Sequence, residues 1–344
     1  LLLGCLAAAA VAGLADVWVS LWAGGSDAVV AVRWLALSTL ITPYMGVIVA
    51  FARRAGQFKF LATVQLLSAA LGMVAGIALI FTFRNAESLV ASLIITQYAI
   101  VVGVGIRHSA SVWPGRVRKH DLRQLRFSFA VTGTNTLYYI QQNLPRWSIG
   151  RFLGNVELGY WNRAEVVTAV PFQSVQNAIL QTMYPQFAHI ENDVRRQKDG
   201  WTDMLVLSAW VGVPAGTIGY IVLPVLIPLL YGTRWTDVGS IVGVLALAYC
   251  LLPTMSVLAA GLEQRGMFKA ILISLFLGIA TIVPFCFAAV NARDPVLAGI
   301  GLGVSFVVQH ALNLLFASRS RLIDIRRILV EYLLIGSVCL IVLV

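Results

Sequence analysis

Apolar residues along this chain gather in blocks of about twenty, the length a helix needs to cross a bilayer, and short polar connections separate the blocks. The blocks cover residues 1–22, 30–51, 60–83, 88–106, 127–147, 159–185, 204–230, 238–262, 268–290, 295–317 and 328–344. The pattern predicts an all-α, polytopic membrane protein.

Charge then orients the spans. Lys and Arg crowd every second connection: Arg53, Arg54 and Lys59; Arg107, Arg116, Arg118, Lys119, Arg123 and Arg126; Arg195, Arg196 and Lys198; Arg265 and Lys269; Arg319, Arg321, Arg326 and Arg327. The intervening connections hold only Arg33, Arg84, Arg146, Arg151, Arg163, Arg234 and Arg293. The crowded set is expected to face the cytoplasm and the sparse set the outside. A net charge of +10 suggests a nucleic-acid partner in a soluble protein. With 59% hydrophobic residues, topology and anionic lipid headgroups account for it, so membrane lipids and no nucleic acid are expected as partners.

An internal repeat organises the spans. Gly56-Gln57-Phe58-Lys59 follows the second block and Gly266-Met267-Phe268-Lys269 the eighth, an offset of 210 residues. The same offset carries Asp27 onto Asp237, and brings the end of the fourth block at Ile106 within a residue of the tenth block's end at Ala317. The expected architecture is two six-helix lobes, the first lacking about two helices before Leu1. Residues 1–106 form the partial first lobe, 107–126 a basic cytoplasmic linker, 127–317 the second lobe, and 318–344 a basic loop and the start of an additional helix. Six is even, so the lobes enter the membrane with the same polarity, as parallel repeats.

Polar residues inside spans are where function is expected, because each is costly in lipid unless it faces a cavity or a partner. At about 100° per residue, Ser128, Asn135, Tyr139, Gln142 and Arg146 fall within about 40° of one line along residues 127–147, with Tyr138 and Asn143 flanking. Residues 159–185 carry a rougher stripe, Arg163, Ser174, Asn177 and Gln181, whose phase Pro171 is expected to shift by kinking the helix. Asn135, Tyr139, Gln142, Arg146, Arg163, Asn177 and Gln181 are therefore the candidate substrate-binding set. The two arginines offer guanidinium forks suited to an anionic, phosphate-bearing substrate. Asp16 and Glu165 are the intramembrane carboxylates able to couple a proton or cation to transport. Glu165 lies off the face of Arg163, and Asp16 sits one turn from an outer helix end.

Other chemistry is not indicated. Cys5, Cys250, Cys286 and Cys339 all fall inside spans, where they act as small apolar residues. His108, His120, His189 and His310 are scattered without metal-ligand spacing, so no metal and no cofactor are expected. A drug or cation antiporter needs an acidic cluster in its cavity, and a membrane sugar polymerase or ligase needs catalytic groups on a large outer loop. The chain shows neither.

Ile149-Gly150-Arg151-Phe152-Leu153-Gly154, then Leu158-Gly159-Tyr160-Trp161-Asn162-Arg163-Ala164, then Pro171 and Tyr184-Pro185, form a run that resembles the pattern between the seventh and eighth helices of bacterial polysaccharide flippases. These are the Wzx-type exporters of the multidrug/oligosaccharidyl-lipid/polysaccharide superfamily. Tyr231-Gly232-Thr233-Arg234-Trp235 is similar to their short outer loop after the ninth helix. The resemblance implies a transporter, not an enzyme, of the bacterial inner membrane. It moves an undecaprenyl-pyrophosphate-linked oligosaccharide across that membrane by alternating access, for surface polysaccharide biosynthesis. Polysaccharide polymerase and chain-length machinery are the implied partners. One departure stands out: many relatives carry an acidic residue four positions before the Ile-Gly, and this chain has Pro145.

Overall fold

The structure is a computed structural model that describes residues 2–21, 26–85, 87–107, 125–189 and 193–343. Among these, thirteen α-helices and no strand occur: α1 (Leu2–Gly13), α2 (Ala15–Leu21), α3 (Ser26–Arg54), α4 (Phe58–Phe83), α5 (Glu87–Arg107), α6 (Leu125–Phe152), α7 (Asn155–His189), α8 (Val194–Tyr231), α9 (Thr236–Tyr249), α10 (Leu252–Gln264), α11 (Phe268–Ala292), α12 (Pro295–Arg319) and α13 (Ile325–Leu343). In hydrocarbon every backbone N–H and C=O has to be satisfied within its own segment, so uninterrupted helices are what such apolar blocks form.

Among the described residues seven segments are long and apolar enough to span a bilayer, with α9 and α10 together making one of them, and the pair α1–α2, bent by 62°, makes an eighth if taken as one span. Helices α6 and α7 are long enough, at 28 and 35 residues, yet fail on apolarity because they carry the polar stripes. Three features differ from the expected spans. α8 begins ten residues before its apolar block, since the Asp193 carboxylate caps it by accepting from the Arg196 N–H, 3.0 Å away, and Arg195, Arg196 and Lys198 ride on its first turns. The first block is interrupted at Leu14, where α1 and α2 meet at 62°. The eighth block is interrupted at Cys250 and Leu251, just ahead of Pro253, whose missing N–H cannot continue the ladder. The linker expected at 107–126 lies mostly outside the described residues.

The chain divides into two compact units, residues 1–119 and 120–344. In the first, α3 packs on α1 and α5, and α4 on α5, around Ile48, Ala52, Leu61, Ile100 and Val104. Leu66, Leu67, Leu71, Met73, Val74 and Phe81 cover the outside of α4, an apolar surface suited to lipid tails. In the second unit α9 and α12 lie centrally, and α6, α7, α8 and α11 pack about Trp161, Leu245, Tyr249, Leu252 and Phe306. Helix α13 docks on α8 through Ala209, Ile335 and Cys339.

The 210-residue register recurs in three dimensions. α3 covers Ser26–Arg54, and α9 with α10 covers Thr236–Gln264, the same interval displaced by 210. After each comes a Schellman turn. Gly56, at φ 70°, donates to the Arg53 carbonyl and Gln57 to that of Ala52; Gly266, at φ 68°, donates to Glu263 and Met267 to Leu262. The left-handed φ explains why glycine stands at both corners. α4 and α11 then both close on an arginine in the left-handed region, Arg84 at φ 51° and Arg293 at φ 54°.

Candidate functional site

Helices α6 and α7 carry the polar stripes read from the sequence. α6 buries one polar side chain completely: Gln141, on the face opposite the stripe, donates to the Ser305 hydroxyl of α12 at 2.7 Å, and Ser305 donates on to the Gly278 carbonyl of α11 at 2.7 Å. With α6 clamped there, Asn135 and Tyr139 are left on the exposed side of the helix, Tyr139 at 65% exposure, and Gln142 half-buried beside them. On α7, Asn177 and Gln181 are likewise exposed.

Toward the C-terminal end of α6 the guanidinium of Arg146 reaches across to Glu165 of α7. Nη2 and Nε both donate to Oε2, at 2.6 and 3.2 Å, while Nη1 donates to the Asn143 amide oxygen at 3.1 Å. Glu165 is 8% exposed and accepts two further bonds, from the Trp161 indole N–H at 3.1 Å and from the Tyr249 hydroxyl of α9 at 2.8 Å. Four donors around one carboxylate satisfy both of its oxygens, the condition under which a charge is tolerated inside a membrane protein. Charge pairing also holds the planar fork of Arg146 in one orientation.

Arg163 has separate partners. Its guanidinium stacks over Tyr231 at 5.9 Å and Trp235 at 5.5 Å, next to an edge contact of 5.9 Å between Tyr160 and Trp235. Two sequence runs whose starts are 71 residues apart, Tyr160 to Arg163 and Tyr231 to Trp235, thus meet at one end of the unit. In the first unit Asp16 pairs with Arg33 at 3.3 Å, both side chains more than half exposed. No group of three or more His, Cys, Asp or Glu side chains disposed to hold a metal occurs among the described residues.

The sequence-derived set therefore divides. Asn135, Tyr139, Gln142 and Arg146 follow one side of α6, with Asn177 and Gln181 exposed on α7. Arg163 is taken up by an aromatic cluster, and Glu165 by Arg146, Trp161 and Tyr249. Two features escaped the sequence. The Arg146–Glu165 pair joins residues 19 apart on successive helices, which no single-helix periodicity links. Ser305, Gln309 and Asn313 of α12 are buried at 0%, 3% and 0% exposure. Their spacing of four was a readable stripe inside an apolar block.

Residues 1–240 match the family described as "Polysaccharide biosynthesis protein". The chain is 20% identical over 289 residues to an uncharacterized membrane protein in the cps region of Klebsiella pneumoniae, covering 83% of this chain and 59% of that protein. It is 26% identical over 163 residues to the lipopolysaccharide biosynthesis protein WzxC of Escherichia coli (strain K12), covering 46% and 33%. It is 24% identical over 241 residues to the succinoglycan biosynthesis transport protein ExoT of Rhizobium meliloti (strain 1021), covering 67% and 47%. The chain thus spans between 33% and 59% of the length of these relatives. Among solved structures its fold is similar to that of the lipid II flippase MurJ in an inward closed conformation, with a TM-score of 0.75 at 13% identity, over 99% of this chain and 74% of that one. Apolar helices of membrane length, transporter relatives and a family match over most of its residues agree: this multi-pass protein of the bacterial inner membrane belongs to the polysaccharide biosynthesis protein family.

Proposed function

We propose that the chain is a transporter, and not an enzyme, that carries an undecaprenyl-pyrophosphate-linked oligosaccharide from the cytoplasmic to the outer leaflet by alternating access. One observation supports this most: two membrane-length helices, α6 and α7, present amides and a phenol on their exposed sides, Asn135, Tyr139, Asn177 and Gln181. In lipid such groups lack partners, and each costs on the order of 1–3 kcal/mol. Their natural surroundings are water and the hydroxyls of a headgroup. The prenyl tail has no such need and stays in the bilayer. Arg146 supplies the cation for the pyrophosphate, its fork held in place by Glu165. The relatives' names, covering lipopolysaccharide, succinoglycan and lipid II, describe amphiphiles or glycans of this chemical kind. The product would pass to polysaccharide polymerase and chain-length machinery.

The test is surface polysaccharide in a flippase-deficient host, normalised to protein in the membrane. Arg146→Ala is expected to lower export about tenfold, the worth of one charge-assisted hydrogen bond, with Arg146→Lys restoring it only in part because a point charge does not reproduce a fork. Full export by Arg146→Ala would remove the assigned role.

A further inference from the structure

The second unit holds a cavity of about 200 Å³ walled by five of its helices. Thr134, Asn135 and Tyr138 come from α6, Gln176 from α7, Ser256 and Glu263 from α10, and Gln309 from α12. Leu180, Met255, Ile271 and Leu275 supply apolar wall between them. The side chains of Glu263 and Gln309 belong to none of the interactions described above. We propose that this cavity is a subsite for one neutral sugar ring of the transported oligosaccharide, and that Glu263 makes it refuse an acidic sugar. The proposal rests on the flippase reading.

Three observations carry it. The first is the sign of the wall. The hydroxyls of Thr134 and Ser256 spend their protons on the carbonyls of Val131 and Leu252, at 2.9 and 2.7 Å, so each offers lone pairs to a ligand. Glu263 offers two more oxygens and takes part in no ion pair among the described residues. The amides of Asn135, Gln176 and Gln309 add acceptors and donors alike, so acceptor oxygens predominate on the wall, which suits a ligand rich in O–H groups. The second is Gln309, 3% exposed, whose Oε1 has no hydrogen-bond donor although its side chain lines the cavity. A buried amide left short of a partner costs about 1–3 kcal/mol, and a turn of the amide about its last side-chain bond toward the cavity would let a ligand hydroxyl recover it. The third is the alternation of polar and apolar wall. A sugar ring has hydroxyls around its edge and C–H faces above and below, which suit Tyr138 and Met255. The volume corresponds to about six waters at about 30 Å³ each, the space of one ring. Glu263 precedes the basic turn Arg265–Lys269, which the charge distribution assigns to the cytoplasm, so the cavity lies on the side from which the headgroup arrives.

The charge of Glu263 adds selectivity. A uronic acid ring would place a second carboxylate beside it, and like charges held together out of water repel strongly.

Saturation-transfer NMR on the purified chain in phospholipid nanodiscs, free of sugar detergents, tests this with the methyl pyranosides of glucose, galactose, mannose, N-acetylglucosamine and glucuronate. At least one neutral glycoside should receive saturation, the glucuronide about tenfold less or none. Glu263→Gln should bring the glucuronide up to the neutral level. Asn135→Ala, at an exposed position that leaves the fold alone, should weaken the neutral signal, and Gln309→Leu should abolish it with an unchanged thermal melt. No transfer to any neutral glycoside, or equal glucuronide signals in wild type and Glu263→Gln, overturns the proposal. So does sodium-23 line broadening that disappears in Glu263→Gln without any glycoside signal, which would mark a cation site. If glycoside binding fails while Arg146→Ala still lowers export, the subsite falls and the flippase reading stands; the reverse pattern would separate them the other way.

Discussion

At the scale of single residues, the Glu165 carboxylate carries the largest consequence. Arg146, Trp161 and Tyr249, from three helices, all converge on it. Removing the acceptor strands a half-buried guanidinium and two N–H or O–H donors at once, whereas removing one donor leaves the rest intact. Glu165→Ala is expected to lower stability by about 2–4 kcal/mol, discounted for the 35% exposure of the Arg146 side chain. Tyr249→Phe should cost about 1–2 kcal/mol, and the double variant less than the sum because the two share a partner. Thermal unfolding followed in one detergent checks this, and strict additivity would mean that Glu165 and Tyr249 act apart. The sequence offered Arg146 and Glu165 separately, as a candidate substrate ligand and a candidate coupling acid. Their pairing depends on how two helices are rotated about their axes, and Gln141 sets that rotation for α6 from its unstriped face. A second polar row opposite the stripe, Thr134, Gln141 and Ser148 at seven-residue spacing, was the available signal.

Among helices, small residues decide how closely the axes approach. A Cβ added to Gly212 of α8 would collide with the Cys250 carbonyl where α9 ends, and one added to Gly4 of α1 would collide with the Leu40 carbonyl of α3. Leu40 and Cys250 stand 210 apart, so the two units repeat the same tight contact. Gly212→Ala is expected to destabilise by about 1–3 kcal/mol through forced separation. Gly336→Ala on α13, where an added Cβ meets nothing within 4 Å, should be neutral or stabilising by up to about 1 kcal/mol. Equal losses at both sites would show that backbone entropy, not close approach, governs these glycines. The helices themselves were legible because apolar block length dictates them. Their ends were less so: the start of α8 depends on the Asp193 cap, and the division of α9 from α10 on a proline whose effect at Pro171 and Pro43 is absorbed without a break.

For the molecule as a whole, orientation follows from charge and is open to chemical labelling. In a cysteine-free background, single cysteines at Asn155 and Thr233 should react with a membrane-impermeant thiol reagent in intact cells, while those at Gln57 and Gln264 should be protected until the cells are opened. Labelling of Gln57→Cys from outside would invert the arrangement. The repeat was legible from four residues around each glycine corner, because a left-handed turn restricts the residue that can stand there. What the repeat did not reveal is where its halves have diverged. α3 runs without interruption through Leu40 and Ile41, while its counterpart parts at Cys250 and Leu251. One copy is a beam and the other has a knuckle. Above the knuckle, Tyr249 is tied to Glu165; below it, Met255, Ser256, Ala259 and Glu263 wall the cavity. A load borne at one end of a beam is felt at the other, but a jointed strut lets its halves settle separately, so the wall of the cavity can adjust while the anchor of Arg146 keeps still.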